Sequence, residues 1–242
     1  MTALAIAFHD ATYRVDGRAV LGPLSLAVTT GEIVVLLGRS GAGKTTALRM
    51  INGLVLPSAG EVLVDGRSTR AWDPVRLRRG IGYVIQEIGL FPHMTVERNV
   101  GLVPRLERWP AGRIKARVTE LLSLVGLPPD EFKTRLPHQL SGGQRQRVGV
   151  ARALAADPPI LLCDEPFGAV DSIARAELQA EFKALTARLD RTVVFVTHDV
   201  REALALATRI VVLEDGQVHF SGSPQAFQES RDPHVRALGD SA

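Results

Sequence analysis

The sequence predicts an α/β fold, and three observations carry that prediction. Gly38-Arg39-Ser40-Gly41-Ala42-Gly43-Lys44-Thr45 fills every slot of the phosphate-loop pattern G-x-x-x-x-G-K-[ST]. The loop lies between an apolar run at 33–37, which reads as a buried strand, and residues 46–51, which read as a helix. Farther on, strands alternate with helices from 160 to 207, the order expected of a mainly parallel sheet.

The elements follow in order. Residues 4–15, 20–28 and 33–37 read as strands, punctuated by Asp16-Gly17 and Thr30-Gly31. Short strands follow at 61–65 and 81–85. From about residue 95 the pattern turns helical: Ile114, Val118, Leu121, Leu122 and Val125 fall on one helix face, which Gly126 and Pro128 terminate. A second helix starts at Ser141, a good N-cap residue, and runs to about 156. Residues 87–156 therefore read as a helical insertion. Strand 160–163 leads to a helix striped by Leu178, Phe182, Leu185 and Leu189, then to strand 192–196 and helix 200–207. Segments 210–213 and 217–220 suggest a terminal hairpin around Asp215-Gly216. The tail from 221 onward reads as short and polar, too small for another domain.

A chain of 242 residues can bury a substantial core as one compact unit. Apolar residues at 45% and charged residues at 23% are ordinary for a globular protein. The pI of about 9.4 invites a nucleic-acid reading. The formal charge is only +3, however, and the cations are scattered, so the sequence argues weakly for a polyanion partner. It has neither an apolar run of membrane-spanning length nor the organisation of a signal peptide. Cys163, the single cysteine, lies in an apolar strand and reads as a small buried hydrophobe.

The chemistry concentrates at three places. A phosphate loop turns its backbone N–H groups, and the partly positive start of the next helix, toward phosphate oxygens. Lys44 adds a cation for the terminal phosphates, and the Thr45 hydroxyl can coordinate Mg²⁺. Next, the apolar strand 160–163 delivers adjacent carboxylates at its C-terminal end, the edge where open α/β sheets bind ligands. Asp164 suits a Mg²⁺-associated carboxylate, its alternative being a cap for the following turn. Glu165 is then placed to polarise the attacking water. Third, Leu140-Ser141-Gly142-Gly143-Gln144 sets a hydroxyl and two glycines at another helix start. A simple cap accounts for Ser141 but not for the glycines, since glycine weakens a helix interior by about 1 kcal/mol.

With these residues in view, the sequence resembles the nucleotide-binding subunit of an ATP-binding cassette transporter over essentially the whole chain; Leu-Ser-Gly-Gly-Gln is that superfamily's signature. The resemblance implies a P-loop NTPase core of RecA-like type at about 1–86 and 157–220, with an N-terminal antiparallel β subdomain. It further implies an inserted α-helical signature subdomain at about 87–156 and a short tail at 221–242 without a regulatory domain. Two such chains, identical or similar, would pair head to tail, residues 140–144 of one closing over ATP held by Gly38 to Thr46 of the other. Tyr13 resembles the aromatic that stacks on adenine, its alternative being an ordinary strand tyrosine. Gln86 matches the glutamine that touches metal and attacking water and hinges the helical insertion. Asp171 matches an aspartate that communicates between the two ATP sites, and His198 the switch histidine of the γ-phosphate. Arg39 stands where proline is frequent, and Gly168-Ala169-Val170 replaces the usual Ser-Ala-Leu; neither removes a catalytic group.

Glu87-Ile88-Gly89-Leu90-Phe91-Pro92-His93-Met94-Thr95-Val96 resembles the bacterial importers of quaternary amines: glycine betaine, carnitine or choline. Phe167 is also importer-like. The resemblance implies a peripheral subunit on the cytoplasmic face of the cell membrane, with integral permease subunits contacting residues near 87–105 and a substrate-binding protein beyond them. Phe91, Pro92 and Met94 would supply apolar contacts there or pack in the core. Amino acids, sulfonates or lipid remain alternative cargoes. A superfamily ATPase acting on nucleic acid is the more distant rival, since the interval between Gln86 and Ser141 is too short for a coiled coil, and no nucleic-acid partner is expected.

Overall fold

Asp-Gly pairs turn the chain at three hairpins. Asp16-Gly17, Asp65-Gly66 and Asp215-Gly216 all have positive φ at both residues, the type I′ geometry that matches the twist of paired strands. The first joins β1 (Leu4–Val15) to β2 (Arg18–Thr29), the second β4 (Ala59–Val64) to β5 (Arg67–Ser68), and the third β9 (Arg209–Glu214) to β10 (Gln217–Gly222). The computed structural model describes residues 3–86, 89–168 and 172–239. Glu87 and Ile88 of the importer-like segment lie outside the described residues, as do Ala169, Val170 and Asp171.

The chain divides into two compact units. The first comprises Met1–Arg78 and Asp190–Ala242, the second Arg79–Leu189. In the first, β2, β1, β4 and β5 make an antiparallel sheet in that order. A second group of strands centres on β3 (Ile33–Leu37), which runs parallel to β9 on one side and to β8 (Thr192–Thr197) on the other. All five residues of β3 and all six of β8 are buried. Strands covered on both faces read as continuous apolar runs, which is why 33–37 and 192–196 stand out in the sequence. Against them pack α1 (Lys44–Ile51) and α9 (Val200–Leu206); α2 (Pro74–Arg79) follows β5.

In the second unit, β6 (Ile81–Val84) pairs in parallel with β7 (Ile160–Asp164). Between them come α3 (Val96–Val100), α4 (Leu102–Leu106), α5 (Ala111–Leu124), α6 (Pro129–Phe132), a 3-10 turn at Pro137–Gln139 and α7 (Gly142–Leu154). The anticipated stripe Ile114, Val118, Leu121 and Leu122 is buried, and Gly126 follows α5 at a φ of 69°. After β7 comes α8 (Ser172–Leu189), on which Leu178, Phe182 and Leu185 are buried.

The tail is more structured than its polarity suggests. It forms α10 (Pro224–Glu229) and α11 (Pro233–Gly239). Phe227 and Val235 are buried, and each helix opens on a proline at its first position, where the missing N–H costs nothing.

Candidate functional site

The phosphate loop begins where β3 ends, and its first glycine is dictated by close approach. A Cβ on Gly38 would stand 2.1 Å from the carbonyl oxygen of Leu213, so no side chain fits as the chain leaves the sheet. Gly43 is held at φ 92° and leads directly into α1; a Cβ there would come within 3.0 Å of the Val20 carbonyl and 2.9 Å of Leu21 Cδ1. Residues 20 and 21 of β2 therefore lie against the loop. The Gly22 N–H fixes that arm by donating to the Gly216 carbonyl at 2.7 Å. Half-buried Tyr13 is the ladder partner of Leu21, one strand away from Gly43.

α1 has no side-chain cap, so its first-turn N–H groups and their positive end of the helix dipole serve the loop. Lys44 is buried. Its ammonium donates to the carbonyls of Gly38 at 2.7 Å and Arg39 at 2.9 Å, which anchors the cation inside the loop it serves. Thr45 and Thr46 follow, half-buried; Arg39, Ser40 and Gly41 form the exposed crest and Ala42 is buried beneath it.

His198 is exposed just beyond β8. Two contacts set the turn that carries it: the Thr197 hydroxyl donates to buried Glu202 at 2.6 Å, and the Asp199 carboxylate accepts the Arg201 N–H at 2.8 Å as the N-cap of α9. Gly38, Arg39, Ser40, His198, Asp199 and Leu238 line one cavity of about 500 Å³. The histidine thus opens onto the same space as the flank of the phosphate loop.

In the second unit, β7 carries Asp164, buried, to its C-terminal end, where the Tyr83 hydroxyl donates to Asp164 Oδ2 at 3.3 Å. Glu165 follows half-buried at φ 45°, a left-handed conformation uncommon for a long side chain and frequent at functional turns. The exposed amide of Gln86 reaches Glu165 Oε2 at 3.5 Å, the outer limit of a hydrogen bond. Cys163, beside them, is fully enclosed. Burial pushes its thiol pKa far above the ordinary value and the Asp164 charge adds to the shift, so it is no nucleophile.

The glycine-rich helix start is closed by its own side chains. Ser141 Oγ accepts the Gln144 N–H at 3.2 Å, and Gln144 Oε1 accepts the Ser141 N–H at 3.0 Å, a reciprocal capping box. The glycines are not part of it. A Cβ on Gly143 would meet nothing within 4 Å, so nothing in this chain's own packing requires glycine there.

The donor chemistry fits the groups the sequence suggests. The loop glycine that no Cβ could replace and the buried ammonium suit a polyphosphate. The hydroxyl of Thr45 and the carboxylate of Asp164 are the hard oxygen donors that Mg²⁺ takes. Sequence reasoning passed over three contributors: Tyr83 at Asp164, Glu202 beneath the His198 turn, and Asn99. Fully buried Asn99 accepts the Phe91 N–H at 2.8 Å and donates to the carbonyls of Phe91, Met94 and Thr95 at 3.0–3.2 Å. Phe91 and Pro92 are exposed on the loop so held, and Met94 is half-buried. Asn99 directly follows Glu97 and Arg98 in the sequence, and single-sequence patterns cannot separate a buried amide from a surface one.

Comparison with known proteins places these features in context. The family pattern described as ABC transporter matches residues 21–168. The chain is 53% identical to the choline transport ATP-binding protein OpuBA of Bacillus subtilis, over 88% of this chain and 55% of that protein. It is 47% identical to the glycine betaine uptake system ATP-binding protein YehX of Escherichia coli, over 90% of this chain and 71% of that one. The chain spans about half the length of several curated relatives it matches. Among solved structures, the dimeric post-hydrolysis state of the ATP-binding cassette MJ0796 bound to ADP and Pi superimposes with a TM-score of 0.81 at 35% identity, covering 90% of this chain and 98% of that one.

Proposed function

The chain belongs to the ABC transporter family, and on that premise we propose that it is the ATP-hydrolysing subunit of a membrane importer, working as a pair of protomers around bound nucleotide. The observation that carries the pairing is Gly143: a helix-weakening residue with open space where its side chain would be, next to a cap that is already complete. A triphosphate presented by a second protomer is the anion that would use that approach. The dimeric likeness of the solved cassette supports the same reading.

In this mechanism the loop from Gly38 to Thr46 cradles the triphosphate and Lys44 offsets charge on its terminal phosphates. Mg²⁺ would be held through Thr45 and Asp164 and, when bound, would neutralise charge on the β- and γ-oxygens. Tyr13 stacks on the base. Glu165, oriented by Gln86, accepts a hydrogen bond and then a proton from the attacking water, whose oxygen bonds to the γ-phosphorus as the bond to the β-γ bridging oxygen breaks; ADP leaves, and the proton passes on to the released phosphate. His198 senses the γ-phosphate from its turn, and Asp171 carries the signal between protomers. The exposed Phe91–Pro92 loop, stiffened by Asn99, is the surface for a permease helix. No helix among the described residues is long and apolar enough to cross a membrane. Association with the cytoplasmic face would run through those permease subunits. The names of the choline and glycine betaine relatives support quaternary amines as the cargo, and a substrate-binding protein would deliver them.

Replacing Glu165 by Gln tests the central step. Turnover should fall at least a hundredfold while Mg-ATP stays bound and dimers accumulate, because the phosphate cradle is intact. Unchanged turnover would remove Glu165 from the chemistry. The cargo is tested by co-purifying the permease and asking whether glycine betaine, carnitine or choline, and not sulfate or amino acids, stimulates the reconstituted complex.

A further inference from the structure

Three side chains outside this machinery converge beside it. Glu214 ends β9, His219 lies in β10 and His234 lies in the first turn of α11; their ligand atoms all lie within 4.8 Å of one another. Each arrives by a separate backbone device. The β9–β10 ladder passes from the pair Val218 and Leu213 to the pair Phe220 and Val212, so His219 is the extra residue of a β-bulge, a feature that re-aims a side chain. The Asp232 carboxylate accepts the His234 N–H at 2.8 Å and sets the first turn of α11. His234 Nδ1 already contacts Glu214 Oε2, and the two imidazole rings lie with centroids 4.2 Å apart, tilted by 35°.

We propose that Glu214, His219 and His234 form a binding site for a divalent transition-metal ion of the zinc type. Two imidazoles and one carboxylate are the donor set such ions take, leaving a fourth position for water. Ligands about 2.1 Å from a tetrahedral ion stand about 3.4 Å apart, so atoms within 4.8 Å of one another need to close by about 1.4 Å at most. The ion takes the place of the direct contact between His234 Nδ1 and Glu214 Oε2, both of which would turn to it as ligands.

The site also has a consequence for its surroundings. Gly38, Arg39, Glu214, His234, Ala237 and Leu238 line one cavity of about 180 Å³, so the helix tethered by the metal lies on the flank of the phosphate loop. An ion that pins His234 to the β9–β10 hairpin holds α11 at that flank. Its recognition needs no assumption about cargo or permease.

The experiment uses the full, untagged chain freed of metal. Calorimetric titration with Zn²⁺ and absorption titration with Co²⁺ should each show one equivalent bound, the Co²⁺ complex giving the intense visible bands of a tetrahedral ion. His219→Ala and His234→Ala should each weaken binding at least tenfold, and Glu214→Gln should weaken it too. His138→Ala, which alters an exposed histidine elsewhere, should leave it unchanged. Zn²⁺ should slow amide exchange in residues 233–239 of the parent chain but not of His219→Ala. All variants should keep the parent's basal ATPase, which shows that they are folded. No binding below millimolar Zn²⁺, or equal affinity in the parent and both histidine variants, would overturn the site.

Discussion

Replacing Gly143 by Ala should raise stability and lower activity in the same molecule. Gly143 is the second residue of α7, its backbone is not left-handed, and a Cβ there meets nothing within 4 Å. Alanine is favoured over glycine in a helix by about 0.5–1 kcal/mol, which in a chain of this size raises Tm by about 1–4 °C. If the opposite protomer's triphosphate approaches this helix start, the methyl group displaces a charge-assisted contact worth about 1.5–3 kcal/mol, a ten- to hundredfold loss of ATPase. Gly112 is a built-in control. It is also the second residue of a helix, α5, also with open space at its Cβ position, and has no part in the proposed interface. Gly112→Ala should therefore show the same thermal gain with ATPase intact. The assays are calorimetric unfolding and phosphate release measured over a range of protein concentrations. Full concentration-dependent ATPase in Gly143→Ala would refute the trans approach, and a fall in Tm would refute the claim of open space.

Two further outcomes follow from buried groups. The Cys163 thiol should resist a thiol-specific reagent at pH 8 in the native protein and react at once in denaturant. Its folded-state pKa lies above the ordinary value of 9.0, so the stability it lends is intact below about pH 9 and declines as pH rises beyond that, because the unfolded chain then gives up the proton first. Asn99→Ala should cost about 1–3 kcal/mol in urea unfolding, since the Phe91 N–H and three carbonyls lose their shared partner. The detached subunit should keep its ATPase, whereas permease-stimulated activity should collapse; retained stimulation would remove the Phe91 loop from the coupling surface.

What could be read from the sequence was whatever rests on local pattern. The run 33–37 followed by a complete phosphate-loop motif specifies strand, loop and helix within twenty residues, and α1 begins at Lys44, two residues before the helix read from sequence. Continuous apolar runs likewise identified β7 and β8. Short elements were lost because their period is too brief to register: β5 has two residues, and α10 and α11 are announced only by a proline and a single buried apolar side chain each. Side-chain meetings between distant segments were equally invisible. Nothing in the pattern around residue 83 says that its hydroxyl finds Asp164, or that Thr197 would tie down Glu202. The trio at 214, 219 and 234 depends on a one-residue bulge, which no periodicity argument resolves.

The closed cap at Ser141 settles where that residue's proton goes. A hydroxyl has one hydrogen to give and two lone pairs, and the helix takes only a lone pair. The hydrogen remains available to an outside oxygen. Aspartate would cap α7 at least as well, yet it would bring negative charge and no proton to a phosphate. If a second protomer presents its triphosphate here, redesign of this helix by the ordinary capping preferences would keep the cap yet set a negative charge against that phosphate.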